Sequence, residues 1–320
     1  MIDIQNEIEK TIRSHGRICQ EELWEHLVAI LRSGKKLRPN FVLLLWERIV
    51  PDQEVPQELI DDLVALELIH TSTLIHDDII DEGQFRRNVP TLNHTDGNEI
   101  ALLMGNLVKD LALKTGHPRS LRTLNDASFD VNLGQLWETL ARSHKTIDVN
   151  HYLSIVLYKT SRIFSHCADL FSSYRHISFS AVEKSFIVAM AVLYQIADDL
   201  LDSLVSCPKD KSIGQDKKNN VHSFVVASFQ DTPEIAASDG IEYADEILFL
   251  RHYLDEVRKG YAFQCKLEEL PPEKQKQYLA DLSSLLKSAL HEQPVNADLA
   301  AVLTLYFNKI EQSISRMQIQ

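Results

Sequence analysis

The sequence predicts an all-α protein, and three observations carry that prediction. In 320 residues there are only 10 Gly and 10 Pro, too few for a fold of many strands and tight turns. Apolar residues recur at helical spacing along much of the chain, the period of a helix that buries one face. One stretch, Phe186 to Ala197, is apolar almost all round, which marks a helix buried inside a helical body. A chain that is 44% hydrophobic can build a sizeable core. No linker rich in Gly, Ser or Pro interrupts it, so a single domain over residues 1–320 is expected.

Taken in order, residues 1–30 read as N-terminal amphipathic helices, with Ile4, Ile8 and Ile12 followed by Leu23, Leu27 and Ile30. The segment Gly34-Lys35-Lys36-Leu37-Arg38-Pro39 then opens a helix through Trp46, since Pro39 suits a first helical turn. That places Lys35 and Arg38 at a helix N-terminus, where an anion is favoured. It is not a nucleotide P-loop, because Ala29 and Lys36 stand where Gly and Ser/Thr are needed. After Pro56 come Leu59, Ile60, Leu63, Leu66 and Ile69, a helix running into His70 and then Asp77-Asp78-Ile79-Ile80-Asp81. Gly83 is expected to end it as a left-handed C-cap, and Arg86-Arg87 follow in the next turn. Asn88–Asn93 reads as a connector, Glu99–Leu113 as a helix in which Gly105 permits close packing, and Asp148–Tyr174 as one long helix carrying Tyr158-Lys159-Thr160. A lysine in so apolar a stretch either snorkels to water or reaches for an anion. The buried helix runs into Gln195 and Asp198-Asp199-Leu200-Leu201-Asp202. A long, lysine-rich loop over 206–220, including Lys211, has the composition of a lid over phosphates. Helices over 241–260, from Pro271 or Pro272, and an amphipathic one over 295–320 complete the chain.

The two acidic turns carry the chemistry. On a helix, Asp77 and Asp81 share a face one turn apart, and Asp198 and Asp202 repeat that spacing. Carboxylates at this spacing make a seat for a hard divalent cation. Three carboxylates at the end of an apolar helix need something cationic to meet them. Guanidinium groups placed just beyond the first turn suggest that the metal arrives with phosphate.

Composition narrows the classes. A net charge of −13, without a broad basic stripe, excludes nucleic acid as a partner. Cys19, Cys167, Cys207 and Cys265 show no CxxC or zinc spacing, which suits reduced thiols in a cytoplasmic protein. The N-terminus lacks the pattern of a signal peptide, and no apolar run reaches the roughly 20 residues that span a bilayer.

With GKKLRP, HTSTLIHDDIID, EGQFRRNVPT, YKT, QIADDLLD and KSIGQD in this order, the chain resembles the all-trans isoprenyl (polyprenyl) diphosphate synthases over roughly residues 30 to 285. The resemblance implies the isoprenoid synthase fold, about a dozen helices around a central cavity, and usually a homodimer. It implies a Mg²⁺-dependent condensation of isopentenyl diphosphate with an allylic diphosphate, with about three ions bound. Carried over, Asp77 and Asp81 hold Mg²⁺ with support from Asp78, and Asp198 holds a further ion with Asp199 and Asp202 nearby. Arg86, Lys159, Thr160, Gln195 and Lys211 line the allylic diphosphate, while Lys35, Arg38, His70 and Arg87 form the pocket for isopentenyl diphosphate. The chain departs from the family pattern at Gly105-Asn106, Ala191, Asn219-Asn220 and Val225. A class I terpene cyclase would carry a different second metal motif, and a non-catalytic partner subunit would typically lose the aspartates; both acidic motifs are intact here.

Product length is expected to depend on the helix before the first aspartates. Ser72 and Thr73 lie about one turn below Asp77, where the resembling family places Phe or Tyr to stop elongation at short products. Both are small, so a growing tail passes them towards Ile69 and Leu66, with Leu103, Met104 and Leu107 as candidates for the facing floor. Each added isoprene unit buries more apolar surface, which favours elongation until a bulky side chain blocks it. The product is therefore expected to exceed farnesyl, and Ser72→Phe to shorten it to about three isoprene units. Mass spectrometry of the products checks this; an unchanged length distribution in Ser72→Phe would refute the account of the floor.

Overall fold

The computed structural model describes residues 2–15, 21–204, 223–229, 244–263 and 265–317. These residues form helices joined by short turns and one two-stranded hairpin, as an all-α fold requires. None of the described helices is long and apolar enough to cross a membrane. The chain divides into two compact units, and the boundary falls inside two of the helices.

The first unit contains α1 (Ile4–His15), α2 (Glu21–Arg32), α3 (Leu37–Ile49), α4 (Gln57–Ile80), β1 (Phe85–Arg86), β2 (Val89–Pro90), α5 (Leu92–Thr95) and α6 (Asn98–Thr115). The first part of α7 (Leu121–Ala141) and residues His166–Ser178 of the chain also belong to it. Its centre is α4, against which α1, α3 and α6 pack. From Leu59 to Ser72 nearly every α4 side chain is buried, so the helix is enclosed on all sides rather than amphipathic. Close approach of α6 depends on Gly105: a Cβ there would lie 2.3 Å from Nε2 of His76.

So enclosed a helix must satisfy its own polar groups, and Asp62 is the test. Fully buried, it accepts from the His117 backbone N–H (2.7 Å), the Ser120 hydroxyl and the Tyr174 hydroxyl (2.7 Å). One carboxylate thus ties α4 to the turn that starts α7 and to Tyr174. Burial pushes its pKa up against the pull of these donors.

The second unit holds the rest of α7, α8 (Val149–Val156), a π-helical turn (Leu157–Ser161), the first four residues of α9 (Arg162–Arg175), α10 (Ala181–Leu204), α11 (Ala244–Arg258), α12 (Pro272–Glu292) and α13 (Ala297–Arg316). Every residue from Phe186 to Leu193 of α10 is buried, and α11, α12, α13 and the π-turn surround it. Pro272 occupies the start of α12, and Asn296 caps α13 by accepting from the backbone of Asp298 and Leu299. Segment 223–229 is fixed by aromatic edges: Phe224 and Phe229 pack at 5.6 Å, and Phe263 meets Phe229 at 5.4 Å.

Three local expectations are corrected. The left-handed residue after α4 is Glu82 (φ 52°), not Gly83, whose N–H returns to the Asp78 carbonyl at 2.8 Å. A Cβ on Gly83 would lie 3.1 Å from Asp78 Oδ1, so glycine serves close approach there. Instead of a connector, 85–90 is a hairpin whose apex residues Arg87 and Asn88 both have positive φ, as a two-residue turn matching strand twist demands. The long helix over 148–174 is broken by the π-turn at Tyr158-Lys159-Thr160.

Replacing Asp62 should leave three donors without their acceptor. Asp62→Ala is expected to lower stability by about 3 kcal/mol, and Asp62→Asn, which still accepts on one oxygen, by about half as much. Urea unfolding monitored by circular dichroism checks both.

Candidate active site

In the first unit, the end of α4 and the hairpin after it bring opposite charges together. Asp77 and Asp78 are buried and Asp81 is partly exposed. Arg86, on β1, clasps Asp78 through both ends of its guanidinium, with Nε–Oδ2 at 2.9 Å and Nη2–Oδ1 at 2.8 Å. Burial opposes the charge on Arg86, but Asp78, Asp77 and Asp81 outweigh it and raise its pKa. Asp78 therefore holds this cation directly, and the charges of Asp77 and Asp81 add to its stabilisation.

Arg87 is the next residue, but it occupies the left-handed hairpin apex and takes a different course. A Cβ on Gly34 would meet Lys36 Nζ at 2.8 Å, Arg87 Nη1 at 3.2 Å and Glu67 Oε1 at 3.5 Å, so these groups converge there. His70 lies among them. Desolvation first, then the positive fields of Arg38, Arg87, Arg86 and Lys36, hold its pKa well below the ordinary 6.5. The residues expected to bind isopentenyl diphosphate thus include three, Arg38, His70 and Arg87, that share one positive field. Lys35 is exposed, whereas its neighbour Lys36 is buried, 3.4 Å from Glu67. Glu67 was legible only as a lone carboxylate in an apolar run three residues before His70.

In the second unit, Asp199 plays the part that Asp78 plays in the first. It accepts from Tyr152 Oη (2.7 Å), Gln195 Nε2 (2.8 Å) and the Phe224 backbone N–H (3.0 Å). Gln195 in turn accepts from the Thr160 hydroxyl at 3.3 Å. Burial first, then the charges of Asp199, Glu138 and Asp198, push the Tyr152 phenol far above its ordinary pKa of 10. Lys159, Thr160, Gln195, Asp198 and Asp199 are therefore gathered around one negative field. The anion that Lys159 reaches is Glu138 on α7, 2.6 Å away. A Cβ on Gly134 would lie 2.2 Å from the Lys159 backbone nitrogen, so α7 packs directly on the π-turn.

Residues 121–141 gave no clear signal of a helix, because α7 is apolar on more than one side: Leu124, Ala127 and Val131 are buried while Phe129, Leu136 and Leu140 are exposed. Glu138 and Gly134 carry no separate signal in the sequence. Ser72 and Thr73 are both buried on α4. Of the floor candidates Met104 is buried, but Leu103 is 64% exposed and so faces away from the α4 side of α6. Lys211, the loop over 206–220 and Asn219-Asn220 lie outside the described residues, as does the side chain of Asp202.

Among the described residues no group of three or more His, Cys, Asp or Glu side chains forms a ready-made metal cage. The donor set still fits Mg²⁺, which is bound through one or two carboxylates together with substrate phosphates and water rather than by a protein cage. Arg86, paired with Asp78 and stabilised by the charges of Asp77 and Asp81, marks where positive charge is favoured.

A family model described as polyprenyl synthetase matches residues 20–239. The chain is 29% identical over 224 residues to a nonaprenyl diphosphate synthase of Mycobacterium tuberculosis, covering 68% of this chain and 66% of that protein. It is 29% identical over 211 residues to heptaprenyl diphosphate synthase component 2 of Bacillus subtilis, covering 62% and 57% respectively. These matches thus span just under two thirds and somewhat over half of the relatives' lengths. Among solved structures, heptaprenyl diphosphate synthase from Staphylococcus aureus superposes with a TM-score of 0.69 at 22% identity over 98% of this chain and 96% of that one, which shows the shared fold.

The depressed pKa of His70 sets a sign for acid stability. The unfolded imidazole takes up a proton near 6.5 while the folded one resists it, so this contribution is fully present above pH 6.5 and is lost as pH falls below it. His70→Gln should therefore lose less stability than the parent between pH 7.5 and pH 5.5, read by urea unfolding at both values. Identical losses would show that His70 is not held neutral by its neighbours.

Proposed function

Because this chain belongs to the polyprenyl synthetase family, we propose that it condenses isopentenyl diphosphate with an allylic diphosphate to make a polyprenyl diphosphate longer than farnesyl. One observation carries the reading: within a single unit, a carboxylate cluster on α4 adjoins a cationic pocket centred on neutral His70. That is the pairing a metal-bound diphosphate beside a second, metal-independent diphosphate calls for. The small, buried Ser72 and Thr73 support a long product, as does the similarity to a nonaprenyl diphosphate synthase.

In this reading, Arg86, Lys159, Thr160 and Gln195, with Lys211, bind the allylic diphosphate, and Asp77, Asp81 and Asp198 are the metal-holding carboxylates. About three Mg²⁺ ions would neutralise the leaving diphosphate when bound. Asp78 orients Arg86, and Asp199 orients Gln195 and Tyr152 through the hydrogen bonds described above. Lys35, Arg38, His70 and Arg87 hold isopentenyl diphosphate so that its alkene faces the allylic carbon, and this positioning supplies much of the rate. His70, neutral in the ligand-free pocket, offers an N–H donor to phosphate. The allylic C–O bond breaks with its electron pair going to the diphosphate; the alkene then forms the new C–C bond. The departing diphosphate accepts the proton that is lost, so no protein base is required.

The chain works as one catalytic domain and as a homodimer. Phe129, Leu136 and Leu140, spaced along one face of α7, are exposed apolar side chains that a second copy would cover. A second reading, an assisting subunit, draws on the similarity to a component of a two-part synthase. Retention of both acidic clusters favours a catalytic chain.

Asp77→Ala, Asp81→Ala and Asp198→Ala should each lower kcat at least about 10²-fold, and chelation of Mg²⁺ should abolish turnover. The assay is incorporation of labelled isopentenyl diphosphate by the purified chain alone. Near-normal turnover in all three variants would overturn the assignment, and no turnover by the parent chain alone would favour the assisting-subunit reading.

A further inference from the structure

The geometry points to Glu138 as a positioning residue that holds Lys159 and is displaced when the diphosphate binds. This inference rests on the proposed role of Lys159 as a ligand of the allylic diphosphate. Lys159 Nζ lies 2.6 Å from Glu138 Oε2, and both side chains are mostly buried, at 23% and 14% exposure. The Lys159 backbone is fixed from below, because Gly134, one turn before Glu138 on α7, leaves no room for even a Cβ against it. Trp137 flanks the same contact, edge to face with Tyr158 at 4.8 Å. The lysine therefore has its backbone anchored and its ammonium within hydrogen-bonding distance of the Glu138 carboxylate.

A buried ion pair of this kind would resist opening, since removing one partner strands the other charge. Here a replacement stands ready. Arg142, one turn along α7, places Nη2 3.6 Å from the same Oε2. When Lys159 turns to a diphosphate oxygen, Glu138 keeps a cation. The exchange then costs much less than breaking an isolated pair. Glu138 also belongs to the site electrically, since its charge acts on Tyr152 together with Asp199 and Asp198. Glu138 thus competes with diphosphate for Lys159, while Arg142 competes with Lys159 for Glu138.

The two substitutions have opposite expected signs. Glu138→Gln, close to isosteric, should tighten binding of inorganic diphosphate in the presence of Mg²⁺ by at least about fivefold, and Arg142→Met should weaken it by a similar factor. Isothermal titration calorimetry on the full chain measures both, with circular dichroism confirming that each variant is folded. Repeating each in a Lys159→Met background completes a double-mutant cycle. There both effects should shrink to less than about twofold, which neither a structural role nor a general change of field would produce. If Lys159→Met weakens diphosphate binding but Glu138→Gln does not tighten it, the competition is refuted. If both effects persist without Lys159, it is refuted as well. If Lys159→Met itself leaves binding unchanged, the role of Lys159 fails instead, and this inference falls with it. Should Glu138→Gln not fold, Arg142→Met alone still decides by its sign.

Discussion

A carboxylate enclosed by helices costs several kcal/mol unless donors or cations meet it, and this chain carries carboxylates at the C-terminal ends of two largely buried helices, α4 and α10. The solution is the same in both. The second aspartate of each pair is committed to the protein: Asp78 to the Arg86 fork, Asp199 to Tyr152, Gln195 and the Phe224 amide. In each motif the second aspartate is thereby held by the protein's own donors. The rest of the local architecture follows. The hairpin exists to bring Arg86 back over Asp78, and segment 223–229 is tied down by the amide that Asp199 receives.

The hairpin also separates two adjacent arginines. In a strand or helix, neighbouring side chains diverge by a fixed angle, but a two-residue turn with positive φ at both positions redirects the chain between them. Arg86 points to carboxylates, and Arg87 joins Arg38 and Lys36 around His70. Asn88 tolerates the left-handed region readily; Arg87 does so at some conformational cost, which the cluster of contacts around Gly34 offsets.

How much of this was legible in the sequence depends on whether the partners were local. The placement of Asp77 and Asp81 on one helical turn, of Asp198 at the end of α10, and the apolar run of α10 follow from spacing on one helix, whereas Gln195 was singled out only by the resemblance. The all-helical class followed from composition and period. By contrast, Asp62 with Tyr174, Glu138 with Lys159 and Lys36 with Glu67 are pairings between elements, and no periodicity reports them. The π-turn at Lys159 has no propensity signal, and the backbone that packs closely against it, Gly134, lies over twenty residues away in sequence. Helix α7 escaped for a different reason. Its buried and exposed apolar residues together blur the single stripe that marks an amphipathic helix.

A chain with net charge −13 is an unpromising binder of anions by bulk electrostatics. Local potential decides instead, and two side chains report it. The imidazole of His70 is driven to its neutral form by burial and surrounding cations, which is what a positive pocket does to a base. The phenol of Tyr152 is driven to its neutral form by burial and surrounding carboxylates, which is what a negative pocket does to an acid. Each unit also holds the opposite sign close by: Asp77, Asp78 and Asp81 around Arg86 in one, Lys159 against Glu138 in the other. Neither a bare cation nor a bare anion satisfies such mixed surroundings. A phosphate carrying its own metal ions does, because its oxygens meet Lys and Arg while its cations meet the carboxylates. Mixed charge of this kind is what the proposed binding of a metal–diphosphate complex requires, and the net acidic charge of the chain does not oppose it.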